Sequence, residues 1–339
     1  MKKIIALFIM LLFGMALFAE IGRWQTDDYA LSIQYNKTVQ PGDAVFARLI
    51  LKPRIKKMRR LTGTSSATMQ LLSLPKDGAE QKSIGKATMY IINKSTDKKN
   101  PAKNDVLLAG IPLSSYCKVG DYQLKLIFSA FGKSEYEFTV PVTVVAKEFI
   151  SETIPLNASN TAIKTNTSST RMNQINQLNA ILQAKNMDSV YSDGAFSAPN
   201  PATRRTSFFA DRRVYAYSNG KSSTSLHYGI DYGIPTGSEV RSCAPGKVVM
   251  AEDRISTGWS VCIEHLPGLY SLYYHMSRLD ISEGQMVAQG ELLGLSGATG
   301  LATGPHLHWE IRLNMEAVSP DFFTTDFTFS DTQESKTYR

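Results

Sequence analysis

From about Tyr191 onward the chain is a series of short apolar runs divided by glycines, and this punctuation restricts its fold more than any other feature. Gly229, Gly237, Gly246, Gly258, Gly284, Gly290, Gly294, Gly297, Gly300 and Gly304 separate runs such as Val248–Met250, Val261–Ile263 and Leu292–Leu293. No segment there keeps a helical period long enough for a core helix. Strands joined by glycine turns, an all-β domain over 201–325, are therefore expected.

The preceding half is also β-prone. Ala30–Tyr35 and Ala44–Leu51 alternate at period two, as half-buried strands do. Asp121–Val144 reads as a hairpin turning at Phe131-Gly132-Lys133. Residues 20–150 are expected to form a β-sandwich of immunoglobulin type. A chain of 339 residues, 43% hydrophobic and 20% charged, is long enough for two such cores.

Between the halves, 151–200 reads as a linker. Asn157 to Thr170 is rich in Asn, Ser and Thr and offers little to bury. After it Met172, Ile175, Leu178, Ile181 and Leu182 recur at helical spacing, which predicts a short packed helix over about 170–185 with Ser169 or Thr170 as N-cap.

The first residues give a short basic end, an apolar run from Ile4 to Phe18 and a small residue at Ala19, the layout of a secretory signal over 1–19. The run is shorter than the roughly 20 residues a spanning helix needs. An exported protein is expected, in a periplasm, in the cell envelope or outside the cell. The three cysteines, Cys117, Cys243 and Cys262, are too few for a disulfide-built fold or a thiolate metal cage, although Cys243 and Cys262 lie in neighbouring strand-like runs. The net charge of +7 favours residence near polyanions, which for an exported chain means wall polymers or anionic membrane surfaces before nucleic acid. Its densest basic run, Lys52 to Arg60, reads as a solvated loop. Residues 326–339 read as a tail.

All five histidines fall between His227 and His308. In G-P-H-L-H-W-E-I, from Gly304 to Ile311, alternation puts His306, His308 and Glu310 on one strand face and Leu307, Trp309 and Ile311 on the core face. In H-Y-G-I-D, helical spacing would unite His227 with Asp231, but Gly229 and Pro235 argue against a helix. Fully extended, the two would stand about 13 Å apart, so the chain is expected to fold back near Gly229. In L-Y-S-L-Y-Y-H-M-S, Ser271, Tyr273 and His275 share one face, and Leu272 and Tyr274 the other. His265 has no partner motif and reads as structural. His227, Asp231 and His308 would hold zinc with a fourth position open to water, leaving His275 and His306 for proton transfer and charge stabilisation. Glu310 is either a partner that orients an imidazole or a surface carboxylate.

H-Y-G-I-D-Y-G-I-P-T-G-S-E-V, A-P-G-K-V-V, L-Y-Y-H-M-S and the run from Gly284 through G-P-H-L-H-W-E-I together resemble the lysostaphin and LytM type of zinc metalloendopeptidase, over roughly Ser207 to Pro320. The resemblance implies an antiparallel β-domain with a groove and one zinc per chain. In that family the positions matching His227, Asp231 and His308 bind the metal, and those matching His275 and His306 are catalytic. The implied activity is hydrolysis of peptide bonds in peptidoglycan stem peptides or cross-bridges, through a zinc-bound water. S-F-F-A-D-R-R, from Ser207 to Arg213, resembles the family's entry segment, which more often has glycine where Ala210 stands. The rival readings are a non-catalytic wall-binding protein or amidase activator of the same fold, and a protease acting on other exported proteins.

Overall fold

The computed structural model describes residues 2–3, 20–54, 65–74, 80–93, 104–192, 194–325 and 327. The apolar run of the expected signal, the basic run beyond Arg54 and the tail apart from Phe327 lie outside these. The described chain is all-β in character, as expected, with strands in four sheets and only three helices. Among the described residues no helix is long and apolar enough to cross a membrane.

The chain divides into two compact units, and the second spans Lys147–Phe327. In the first unit one sheet runs Glu20–Gln25, Tyr29–Tyr35, Ala44–Pro53, Asp105–Pro112, Tyr90–Ile91. The other runs Glu135–Val144, Gly120–Ser129, Ser66–Ser73, Ser83–Thr88, with Lys2–Lys3 and Thr38–Val39 parallel to Glu135–Val144. Edge-to-face aromatic pairs join the two sheets, Trp24 on Phe138 and Tyr29 on Phe128. The expected hairpin is present, and Phe131 and Gly132 make its turn with φ of 52° and 73°.

The second unit is built on a large sheet whose central order is Gly229–Tyr232, Leu307–Leu313, Leu269–Leu279, Gly258–Leu266, Gly246–Arg254. Every pairing among these strands is antiparallel. Leu307, Trp309 and Ile311 are fully buried, so the alternation in this strand orients it as expected. A separate three-stranded sheet precedes the large one. In it Ser151–Pro155 runs parallel to Arg212–Ala216, which pairs with Ser222–Leu226.

The predicted helix forms over Ser169–Gln183, capped by Ser168 rather than by Ser169 or Thr170. Leu182 packs with Met250, Cys262, Tyr270, Leu272 and Tyr274, joined by Leu178 and Ile181, and this fastens the helix against the large sheet. A second helix, Ala158–Lys164, forms inside the polar stretch read as linker. Its signal is local: Asn157 Oδ1 accepts from the Asn160 backbone N–H, and the buried side chains are polar, Asn160 and Thr161. Cys243 and Cys262 are buried free thiols.

Candidate metal centre

Asp231 and His308 occupy opposite positions on neighbouring antiparallel strands, with Gly229 opposite Glu310. His227 arrives from outside that pair. Its backbone bonds to Ala210 and Asp211, and the chain then enters the large sheet at Gly229. The bend therefore precedes Gly229, which lies within a strand and is not the turn residue expected. Glycine serves close approach instead: a Cβ there would meet the Trp309 carbonyl oxygen at 2.3 Å and His308 Nε2 at 2.8 Å.

Three atoms converge at the centre. His227 Nε2 lies 3.0 Å from Asp231 Oδ1 and 2.9 Å from His308 Nδ1, which is itself 2.9 Å from Asp231 Oδ1. The outer nitrogen of each ring faces an acceptor, His227 Nδ1 the Phe208 carbonyl at 2.8 Å and His308 Nε2 the Glu310 carboxylate at 3.1 Å. With a proton on each outer nitrogen, both rings present lone pairs inward beside a carboxylate oxygen. This donor set fits zinc, with mixed imidazole and carboxylate ligands and outer partners that fix the tautomers. Glu310 is 3% exposed, which excludes the surface-carboxylate alternative.

The charges favour a cation here. Burial works to raise the Asp231 carboxyl, but His227 and His308 hold it well below the usual range. Burial alone would lower the His308 imidazole, yet its contacts with Asp231 and Glu310 push it up to about 9. Asp231 is braced in turn by Arg213, whose Nη2 donates to Oδ2 at 2.9 Å while its Nε donates to Glu152 at 2.8 Å.

His275 reaches the same place by a route alternation does not predict. Ser271 and Tyr273, expected to share its face, point into the core, where Ser271 meets His265 and Tyr273 bonds the Cys243 N–H. Tyr274 is the residue on the site face, stacked on the His308 ring at 5.3 Å with 8° between planes. His275 has φ of 62°, a left-handed conformation, and this reverses its side chain toward the histidine cluster. Its ring centre lies 4.6 Å from that of His306 and 6.2 Å from that of His308. Nδ1 of His275 is 2.8 Å from the Thr299 carbonyl and Nδ1 of His306 is 2.8 Å from that of Gly304, so each leaves Nε2 for the cleft. Burial first, then the neighbouring His306 and His308, push His275 down to about 3 and keep it neutral. His265 is structural, fully buried between the Pro245 carbonyl and the Ser271 hydroxyl.

Residues 225–320 match Peptidase family M23. The second unit carries an M23 peptidase domain. Over 95 residues the chain is 43% identical to the DD-carboxypeptidase/endopeptidase Mpg of Neisseria meningitidis, a match covering 28% of this chain and 22% of Mpg. Over 108 residues it is 36% identical to the peptidoglycan DD-endopeptidase ShyA of Vibrio cholerae, covering 32% of this chain and 24% of ShyA. The chain thus spans about a quarter of the length of these curated relatives. Among solved structures, a peptidase M23 from Pseudomonas aeruginosa aligns over 80% of this chain and 99% of its own, with 22% identity and a TM-score of 0.49. The catalytic domain of lysostaphin from Staphylococcus simulans aligns over 40% of this chain and 92% of its own, with 26% identity and a TM-score of 0.28.

All five residues expected at the M23 centre are brought together. Sequence reasoning missed the Arg213 brace, although its segment, Ser207 to Arg213, stood out. It also missed Tyr274, assigned to the opposite face. Ala210, where the family more often has glycine, has φ of 65°, which accounts for that preference and strains the alanine by about 1–2 kcal/mol.

Proposed function

We propose that this protein is an exported zinc endopeptidase that cleaves peptide bonds in the stem peptides or cross-bridges of peptidoglycan. The observation that carries this reading is the convergence of His227 Nε2, Asp231 Oδ1 and His308 Nδ1, with two more imidazoles on the same face. The family match and the peptidoglycan endopeptidases among the relatives support the substrate class, and that substrate lies outside the cytoplasm.

His227, Asp231 and His308 hold the metal. Zinc at this position supplies Lewis acidity toward a scissile carbonyl and lowers the pKa of water. His275, anchored through Nδ1 to the Thr299 carbonyl, offers Nε2 as a proton acceptor. His306, less enclosed than the other four and anchored through Nδ1 on Gly304, turns Nε2 to the cleft, where it donates to negative charge developing on the substrate once that nitrogen has taken up a proton. Glu310 and the flat face of Tyr274 fix the His308 ring. Domains at 20–150 and 201–325, joined by 151–200, complete the proposed layout.

The test is bound zinc and soluble peptide release from purified cell wall, in the wild type and in His308→Ala. The reading expects both in the wild type and neither in the variant. A zinc-loaded wild type that releases no peptide from any wall preparation counts decisively against it.

A further inference from the structure

Two cations tied to the elements that support the candidate centre belong to neither the metal site nor the region matching the family. Lys164 ends the Ala158–Lys164 helix, and its Nζ lies 4.1 Å from the centre of the Tyr215 ring. Tyr215 follows Arg213 by two residues on one strand, so both side chains project to the same side. Arg213 contacts Asp231 directly. From the next helix, Arg171 donates Nε to Ser256 Oγ at 3.0 Å and Nη1 to the Asn166 carbonyl at 2.9 Å. Ser256 precedes Thr257, whose carbonyl accepts the His275 backbone N–H. The pair therefore stands between the strand that braces Asp231 and the loop that holds His275.

Both side chains are half-buried, and among the described residues no carboxylate pairs with either. Burial, followed by the charges of Arg171 and Arg213, pulls the Lys164 ammonium below its usual range. Of these three cations only Arg213 has acidic partners. Like charges gathered in a partly enclosed place repel one another until an anion joins them. The two hydrogen bonds fix Arg171 and the Tyr215 ring positions Lys164, so the charges are held in place for such a partner.

We infer that Lys164 and Arg171 form a subsite beside the metal centre for a free carboxylate of the peptide substrate. The inference rests on the endopeptidase reading and narrows it: wall peptides with a free acid at this position are preferred to their amidated forms.

The test uses the full chain loaded with zinc and one wall peptide prepared as the free acid and as its amide. Wild type is expected to show a KM roughly ten-fold lower for the acid, the scale of one charge-assisted hydrogen bond. In the double variant Lys164→Met, Arg171→Gln the acid-to-amide preference falls to about one, and Lys164→Arg keeps it. Equal KM values for acid and amide in the wild type overturn the inference, as does a double variant that weakens both substrates alike. If neither peptide is turned over, the endopeptidase reading fails separately, and calorimetry compares binding of the same two peptides. Tighter binding of the acid by wild type alone upholds the subsite, and equal binding by wild type sinks it.

Discussion

Asp231 and His308 face each other across one antiparallel strand pair, with Oδ1 and Nδ1 2.9 Å apart. His306 lies two residues before His308, just ahead of that strand, and its Nε2 stays 3.9 Å from the same Oδ1. His308→Ala should therefore lose bound zinc. His306→Ala should keep most of it while peptide release falls about 10²–10⁴-fold, the usual contribution of a proton-transfer group. Metal content and release rate measured on the same preparations separate these outcomes, and zinc loss in both variants would refute the division of roles.

Arg213 holds the second oxygen of Asp231 and is itself held by Glu152. Arg213→Gln should weaken zinc binding about 10–100-fold, the scale for removing a partner of a ligand. Competition against a chromophoric chelator reads this directly. Unchanged affinity would mean that the carboxylate needs no brace.

Because Asp231 and Glu310 push His308 up to about 9, its imidazole carries a proton at neutral pH that zinc must displace. Apparent zinc affinity should then climb as pH rises toward about 9 and flatten above it. Calorimetry at pH 7.5 in buffers of different ionisation heat should give release of about one proton per zinc. No buffer dependence would exclude a charged His308.

Gly229 has its backbone against the Trp309 carbonyl and the His308 ring. Gly229→Ala forces one of them to move, with a stability loss of about 1–3 kcal/mol. Thermal unfolding should show the loss, and zinc content should fall with it because the displaced neighbours include His308. A variant with wild-type midpoint and metal would contradict this close approach.

Much of the centre was legible because H-L-H-W-E-I is short, alternating and anchored by apolar residues that the core accepts. Alternation failed at His275, where one left-handed residue reverses the face and a period-two reading has no term for it. The resemblance still pointed to this residue. Arg213, Glu152 and Lys164 were silent for another reason. Their roles depend on contacts across folded strands and helices, such as that between Glu152 and Arg213, 61 positions apart. The helix Ala158–Lys164 was hidden by its composition, since its buried side chains are an asparagine and a threonine.

The parallel pairing of Ser151–Pro155 with Arg212–Ala216 bears on how the chain can be divided. A fragment trimmed to 225–320 would discard Arg213, and one starting at 201 would keep Arg213 but strip away Glu152, its anchoring acid. Truncated proteins of either design should assemble the visible motif yet misjudge the metal affinity of the whole chain. A fragment that retains both residues of this brace and the whole strand that carries Glu152 begins no later than Ser151.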